Sequence, residues 1–195
     1  MAIDSYMFFV PYNGSALTSE SQVDMSKNSE DLAKDLKAYA TGTTKGGQLF
    51  EVEDYSFDVE QTLNIGSQSS GAGAGKITFN PFSITRKIDC ASPIFYQMAC
   101  SGQAFQQVGL ALRKSSGGSQ TAGVIYLRFD FKLVAVKTIS WAHDDESPKE
   151  TVTFEYGGLI VRYTQQNPDG SFQPIVMGGW NRVKNIADST PNVPL

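Results

Sequence analysis

Residues 125–133 read IYLRFDFKL, and this stretch decides the fold class. Large apolar side chains occupy its odd positions, which are Ile125, Leu127, Phe129, Phe131 and Leu133. The even positions carry Tyr126, Arg128, Asp130 and Lys132. A period of two places alternate side chains on opposite faces of a strand. The pattern therefore predicts an antiparallel sheet with one dry face against a core and one wet face toward solvent.

Three other strand-like segments alternate in the same way, but each one slips by a position part-way along. The slips fall at Glu53-Asp54, at Asn80-Pro81 and at Gly157-Gly158. One extra residue in a strand is typical of a β-bulge, and Gly and Pro are the residues that bulges tolerate. Such slips in long strands predict sheets bent into a barrel or a rolled sandwich.

One α-helix is predicted over residues 91–101, ASPIFYQMACS. Ser92 is expected to be its N-cap, with Pro93 at the first helical position and Gly102 ending it. Its apolar side chains are spaced to form one stripe, made of Ile94, Phe95, Met98 and Ala99.

A second helix is predicted within SEDLAKDLKAYATG, which begins at Ser29 as its cap and places Leu32 and Leu36 on one face. It lies in a polar stretch, residues 11–48, that looks like an insertion between two strands.

Near the C-terminus, Asn167-Pro168-Asp169-Gly170 predicts a turn, because Pro fixes φ and Gly accepts a positive φ. It should close a hairpin between a strand ending at Tyr163 and one starting near Phe172. Residues 186–195 lack periodicity and are expected to be a flexible tail. The expected organisation is a single domain over residues 1–185.

Charge and composition exclude several classes of protein. Only 18% of the residues are charged, the net charge is −4, and no run of five basic residues occurs. Nucleic acid is therefore not an expected partner. A surface with few charged residues is compatible with a protein that is partly buried in an assembly.

The first residues, MAIDSYMFFVPYNG, resemble neither a signal peptide nor a membrane span. Cys90 and Cys100 are expected to lie too far apart to form a disulfide, because a helix joins them. The chain is therefore expected to be made in a reducing cytoplasm, and any export would have to bypass the usual signal.

Catalytic and cofactor sites are not predicted. His143, the only histidine, is followed by Asp144, Asp145 and Glu146. This pattern could form a metal site or an acid–base site, but it is typical of a solvated loop. The motifs GxSxG, HExxH and CxxC are absent. Neither enzymatic activity nor a cofactor is expected.

A glycine-rich stretch runs from Gly66 to Lys76, reading GSQSSGAGAGK. It fails as a phosphate-binding loop, because Ser70 stands where the first glycine is needed and Ile77 follows the lysine. Two interpretations remain open for this stretch: a flexible loop between two strands, and a mobile loop that becomes ordered on a partner.

Over residues 47–185 the segments together resemble the Hcp family, the tube protein of bacterial type VI secretion systems. The strand from Lys76 to Ile88 after a glycine-rich loop resembles the family's long strand. The motif Asp89-Cys90-Ala91-Ser92-Pro93, closed by Gly102, resembles its D-x-A-S-P helix. The segment from Phe154 to Tyr163 and the later Gly178-Gly179-Trp180 resemble its final hairpin. The 11–48 insertion departs from the shorter loop of other members.

This resemblance implies a mainly β protein, a small closed β-barrel of bent antiparallel strands with one flanking helix, here with an inserted helical segment near its N-terminus. It also implies a homohexamer whose rings stack inside a contractile sheath behind a VgrG-type spike. The tube is expelled from the cell, and effector proteins can travel in its lumen. Asp89, Ala91, Ser92, Pro93 and Phe95 are expected to form the structural helix motif. In such a tube we predict that the glycine-rich loop is the ring-stacking element, with these residues: Gly66, Gly71, Gly73, Gly75 and Lys76.

Two other functions remain open. The first is a tail-tube subunit of a phage-like contractile particle, and the second is a ligand-binding β-barrel. A tube subunit fills its interior with large side chains, whereas a ligand carrier leaves a cavity. The inward residues Phe129 and Phe131 favour a filled interior.

Overall fold

The computed structural model describes residues 3–25, 27–40, 47–62, 77–114, 123–143 and 147–190. Most of them belong to β-strands, which are β1 (Ile3–Pro11), β2 (Phe50–Val52), β3 (Asp54–Ser56), β4 (Val59–Gln61), β5 (Ile77–Phe79), β6 (Phe82–Lys87), β7 (Ala104–Lys114), β8 (Val124–His143), β9 (Pro148–Tyr163), β10 (Val176–Asn181) and β11 (Ile186–Ala187). One α-helix, α1 (Ser92–Ser101), and two 3₁₀ helices, Asp31–Ala33 and Leu36–Tyr39, complete the elements. The chain is therefore mainly β, as predicted.

Nine of these strands form one antiparallel sheet. Its main path runs β11-β10-β9-β8-β7-β1-β2, while β6 pairs with both β9 and β3. Strands β4 and β5 pair only with each other among the described strands. The two longest strands, β8 and β9, pair with each other at the centre of the sheet. On its other side, β9 pairs with β6 through its first half and with β10 through its second half.

The larger of two apolar clusters lies on one face of this sheet, and a smaller one lies beneath the insertion. Phe82 is stacked between Phe131 and Phe154, with ring centroids 4.1 and 4.7 Å away. Phe131 is fully buried and Phe129 packs against the same cluster. The prediction of an interior filled by large side chains is confirmed for these two residues.

The predicted wet face of β8 is not wet. Arg128 and Asp130 have no exposed surface, and Lys132 is 3% exposed. The prediction was wrong because alternation reports only that two faces differ, and here the second face is covered by the 11–48 insertion and by residues near the C-terminus. Lys132 donates a hydrogen bond to the carbonyl of Thr190.

The dry face was also misassigned at both ends. Pairing between β7 and β8 shifts between Leu112 and Arg113, which leaves Tyr126 as an extra residue in β8. This bulge turns Ile125 to the opposite face, where it packs with Tyr6 and Phe8 beneath the insertion. At the other end, Leu133 has a φ of 49° and is 37% exposed.

The three phase slips are all real changes of face, but none of them is a simple bulge. At Glu53 and at Asn80-Pro81 the strand is interrupted, so β2 ends before β3 and β5 before β6. At Gly157 the register with β8 is unchanged, since Lys132 pairs with Gly158 and Val134 with Tyr156. Both strands turn together there, because Leu133 opposite Gly157 adopts a left-handed conformation.

The insertion folds as two 3₁₀ helices instead of one α-helix. Leu32 and Leu36 are fully buried, as their spacing predicted. Neither helix has a side-chain cap, because Glu30 accepts a hydrogen bond from the backbone N–H of Ile125 instead of capping its own helix. Asp35 likewise pairs with Arg128 of β8. Tertiary contacts thus replace the local bonds that would have continued a helix.

Helix α1 ends as predicted, but it begins one residue earlier than predicted. Ala91 is the N-cap residue, and Ser92 makes no capping hydrogen bond. Asp89 supplies the local acceptor, since its Oδ1 lies 2.9 Å from the N–H of Ala91. Gly102 ends the helix with a φ of 68°. Of the predicted stripe, Phe95 and Met98 are buried while Ile94 is 38% exposed.

The C-terminal hairpin is confirmed. Gly170 has a φ of 87°, its N–H donates to the carbonyl of Asn167, and Gln166 bridges to Phe172. Regular pairing of the returning strand begins at Val176. Residues 186 and 187, assigned above to the tail, pair with β10 as strand β11.

Candidate functional site

The helix motif lies on a buried network of charges. Arg86 Nη2 lies 2.6 Å from Glu150 Oε1, and Arg86 Nη1 lies 2.9 Å from Asp89 Oδ1. Ser92 donates to the same Glu150 oxygen at 2.9 Å. Arg86 and Glu150 are 2% and 0% exposed. The motif therefore fixes the start of α1 to β6 and β9, a structural and not a chemical task.

Two aromatic rings complete this network. The guanidinium carbon of Arg86 lies 5.0 Å from the ring centroids of both Phe50 and Phe95. Cation–π contacts of this kind gain strength when the cation is desolvated. Phe95 also contacts Phe9 edge-on at 4.9 Å, which joins α1 to the main core. Pro93, at the first turn, is exposed.

Sequence reasoning missed Arg86 and Glu150, although a signal for them was present. Arg86 continues the alternation of Phe82 and Ile84, and Glu150 that of Val152 and Phe154. Two opposite charges on the apolar faces of two strands would have indicated a buried pair.

A second charged cluster lies beneath the insertion. Asp130 Oδ1 lies 2.8 Å from Arg128 Nη2, and its Oδ2 lies 2.6 Å from Arg162 Nη2. Asp35 of the insertion adds the second carboxylate, 2.6 Å from Arg128 Nη1. Two arginines and two carboxylates balance in charge only when the insertion is in place.

Apolar packing holds the insertion over the same face. Tyr39 stacks on Phe8, with ring centroids 4.3 Å apart. Gly109 makes room for that ring, because a Cβ atom there would lie 2.1 Å from Phe8 Cε1. Burial raises the pKa of the Tyr39 phenol, an effect that Arg128 partly offsets.

Exposed apolar side chains concentrate at the end of the sheet formed by β10 and β11. Val176, Val183 and Ile186 are 70%, 65% and 51% exposed. Within the described ranges, β11 pairs only with β10, so it forms an edge of the sheet. An edge with apolar side chains is a template for contact with another chain.

The chemical sites weighed in the sequence gain no support. No group of three metal-ligating side chains occurs among the described residues, which include His143 but not Asp144, Asp145 or Glu146. Burial raises the pKa of the Cys90 thiol, and the carboxylates of Asp89 and Glu20 raise it further. A nucleophilic cysteine needs a lowered pKa instead. The predicted stacking residues Gly66, Gly71, Gly73, Gly75 and Lys76 lie outside the described residues.

Comparison with known proteins decides the family. The family model described as "Type VI secretion system effector, Hcp" matches residues 42–163. The chain belongs to the Hcp family. Hcp is the tube protein of the type VI secretion system, a structural protein and not an enzyme.

Relatives and solved structures agree with this assignment. Protein hcp1 of Pseudomonas aeruginosa is 30% identical over 114 residues, which is 57% of this chain and 68% of that protein. A solved type six secretion system protein superposes with a TM-score of 0.71 at 20% identity, covering 96% of this chain and 100% of its own. Hcp1 from Salmonella typhimurium gives a TM-score of 0.63 at 20% identity, with the same coverage. These structures establish the Hcp fold for nearly the whole chain.

The Hcp family model matches the region of the first charged network but little of the insertion. Most of the 11–48 insertion precedes residue 42, where the family model begins to match. Arg86, Ser92 and Glu150 lie inside the matched region, whereas Arg162 and Asp35 join it to the insertion. No helix among the described residues is long and apolar enough to cross a membrane.

Proposed function

We propose that this Hcp protein is a structural subunit of the type VI secretion tube and assembles as a homohexameric ring. The observation that carries the proposal is the family match over residues 42–163 together with a fold that covers the whole of a solved type VI protein. Rings stack inside a contractile sheath, behind a VgrG-type spike, with effector proteins carried in the lumen. The protein assembles in the cytoplasm and leaves the cell through the type VI machine itself.

The strands close into a barrel through β2, β3 and β6. This step of the proposal is supported by the N–H of Glu53, between β2 and β3, which donates to the carbonyl of Thr85 at 2.9 Å. Because β2 pairs with β1 and β3 pairs with β6, a single bend at Glu53 joins the β2 end of the main path to the β6–β3 branch on β9. A closed sheet leaves few edges for unwanted pairing.

The aromatic core argues against the ligand-binding alternative. Phe9, Phe82, Phe131 and Phe154 are each at most 1% exposed and contact one another or their neighbours. A carrier would need an apolar cavity where these rings pack. Exposed apolar side chains at β10 and β11 favour instead a protein with a macromolecular partner.

Light scattering coupled to size exclusion tests the proposal. Six copies of a 21.2 kDa chain give about 127 kDa. A ring of that mass at micromolar concentration supports a tube subunit, and it should persist at moderate salt because apolar and backbone contacts are little screened. A stable monomer under these conditions would overturn it.

A further inference from the structure

Two buried oxygen atoms of the insertion have no hydrogen-bond partner. They are Oε2 of Glu30 and Oδ1 of Asn28. Glu30 is 2% exposed, and Asn28 has no exposed surface. Buried polar atoms in folded proteins are almost always satisfied by protein groups, by water or by an ion. These two acceptors therefore need a species that carries positive charge or donates hydrogen bonds.

The other atoms of the same two side chains are fully engaged. Nδ2 of Asn28 donates to Oε1 of Glu30 at 2.7 Å and to the carbonyl of Gly123 at 2.9 Å. Because both of these partners are acceptors, the hydrogen bonds fix which end of the amide carries the nitrogen. The N–H of Ile125 also donates to Oε1 of Glu30, at 2.6 Å. Both donors to the carboxylate thus serve Oε1, and Oε2 receives none.

The Glu30 carboxylate also has no ion pair with a lysine or arginine of the described residues. Nearby guanidinium groups are used elsewhere: Arg113 pairs with Asp4, and Arg128 pairs with the carboxylates of the second charged cluster. Lys27, three positions before Glu30, is exposed. A buried charge is costly unless an opposite charge balances it. The site is therefore short of one positive charge.

Charge and ligand type together select an alkali cation. A water molecule could donate to both oxygens, but it would leave the carboxylate unbalanced. A divalent ion would bring one positive charge too many for a single carboxylate. The described residues hold no group of three His, Cys, Asp or Glu side chains for a transition metal. Carboxylate and amide oxygens are the ligands that hard cations prefer, and one monovalent ion neutralises one carboxylate.

We propose that Oε2 of Glu30 and Oδ1 of Asn28 are ligands of a bound sodium or potassium ion. The ion strengthens the attachment of the insertion to the start of β8, because these two side chains already bond to Gly123 and Ile125 there. Ile125 packs in the smaller apolar cluster beneath the insertion. Ion binding is thus coupled to the packing of that cluster. The site goes beyond the proposed tube function and does not depend on ring formation.

Thermal unfolding in matched salts tests the site. The chlorides of potassium, sodium, calcium and choline are compared at equal ionic strength, because choline screens exposed charges but is too large for a buried site. Potassium or sodium should raise the melting temperature over that in choline, and the rise should saturate with concentration. At about ten times the dissociation constant of the ion, the shift should be about 3–5 °C.

Two substitutions separate a bound ion from a general effect of salt. Glu30→Gln keeps the shape of the side chain and supplies an N–H donor for Asn28, so it should lose the difference between the salts. Asp31→Asn removes an exposed carboxylate from the same insertion and should keep the full shift. Hydrogen exchange at the Ile125 amide should slow in potassium or sodium for the parent and for Asp31→Asn, but not for Glu30→Gln.

A measurement on the parent protein needs no variant to fold. In crystals grown with thallium(I) acetate in place of a potassium salt, the anomalous signal should show a peak beside Oε2 of Glu30 and Oδ1 of Asn28. Peaks only at other positions would overturn the site.

The remaining outcomes are equally distinct. A melting temperature in choline equal to that in potassium and sodium overturns the proposal and leaves water or a proton as the partner of the two oxygens. Stabilisation by calcium alone assigns the site to a divalent ion and also overturns it, as does an equal shift in Glu30→Gln and Asp31→Asn. Native mass is measured on the same samples, so that failure of the ring, which would count against the proposed function, is recorded separately.

Discussion

The hydroxyl of Ser92 donates a hydrogen bond to Oε1 of Glu150 at 2.9 Å, across 58 residues of sequence. The same oxygen forms the ion pair with Arg86. A serine that the sequence marked as a local helix cap thus serves a long-range connection between α1 and β9. The consequence is that its removal should affect the core and not merely one helix end.

Ser92→Ala should lower the free energy of unfolding by about 1–3 kcal/mol, the cost of leaving a buried charged group short of a hydrogen bond. Loss of a simple cap would cost about 1 kcal/mol. Urea unfolding measures the difference. Ser101→Ala, at the exposed end of the same helix, is the control, and an equal effect of the two changes would show that the network contributes little.

Phe95→Ala should cost about 3–5 kcal/mol, because a fully buried ring is removed and a cavity remains. Tyr96→Ala, at the next position on the helix, removes a ring that is 53% exposed and should cost far less. Thermal unfolding of the two variants checks this. Equal melting temperatures for Phe95→Ala and the parent protein would mean that α1 is not docked on the core.

Asp35→Asn should destabilise the protein by about 1–3 kcal/mol, because it leaves Arg128 and Arg162 with Asp130 as their one remaining carboxylate in the cluster. Partial exposure of Asp35 keeps the expected value below that of a fully buried pair. Asp31→Asn removes an exposed pair with Lys34 on the same insertion and should be nearly neutral. Hydrogen exchange of residues 28–40 would localise the effect, and similar exchange in both variants would contradict it.

Stability should fall at alkaline pH through Tyr6. Burial raises the pKa of its phenol to about 12, an effect that Arg113 partly offsets. The folded state therefore retains a proton that the unfolded chain loses above about pH 10, so the stabilisation is complete below that pH and is lost as the pH rises toward 12. Tyr6→Phe should flatten this decline in denaturant titrations, whereas Tyr12→Phe, at an exposed site, should not. A decline that is identical in Tyr6→Phe would exclude this residue as its source.

Replacement of residues 67–74 by a short turn should leave the hexamer intact and abolish tube formation and secretion, if the glycine-rich segment is the ring-stacking element. Native mass and electron microscopy separate the two effects. Normal secretion by this variant would place stacking elsewhere. Loss of the hexamer would assign the segment to the lateral contact between subunits.

The sequence by itself determined the mainly β fold, the position of α1 and the turn near the C-terminus. Those features depend on short-range order: the alternation in 125–133, the Pro93 start and Gly102 end of a helix, and the Asn167–Gly170 turn. Each is set by backbone sterics and by neighbouring side chains within a few residues. Such local signals do not depend on contacts with distant parts of the chain.

The tertiary structure alone decided that both faces of β8 are buried around Arg128 and Asp130. Arg128 and Asp130 look solvated in sequence, and they are buried because Asp35 and Arg162 neutralise them from elements that lie far away along the chain. Ser92 likewise bonds to Glu150 instead of capping its own helix, because the two residues lie side by side only in the folded chain. Burial of a charge depends on where its counter-charge lies in space, and periodicity carries no information on that distance.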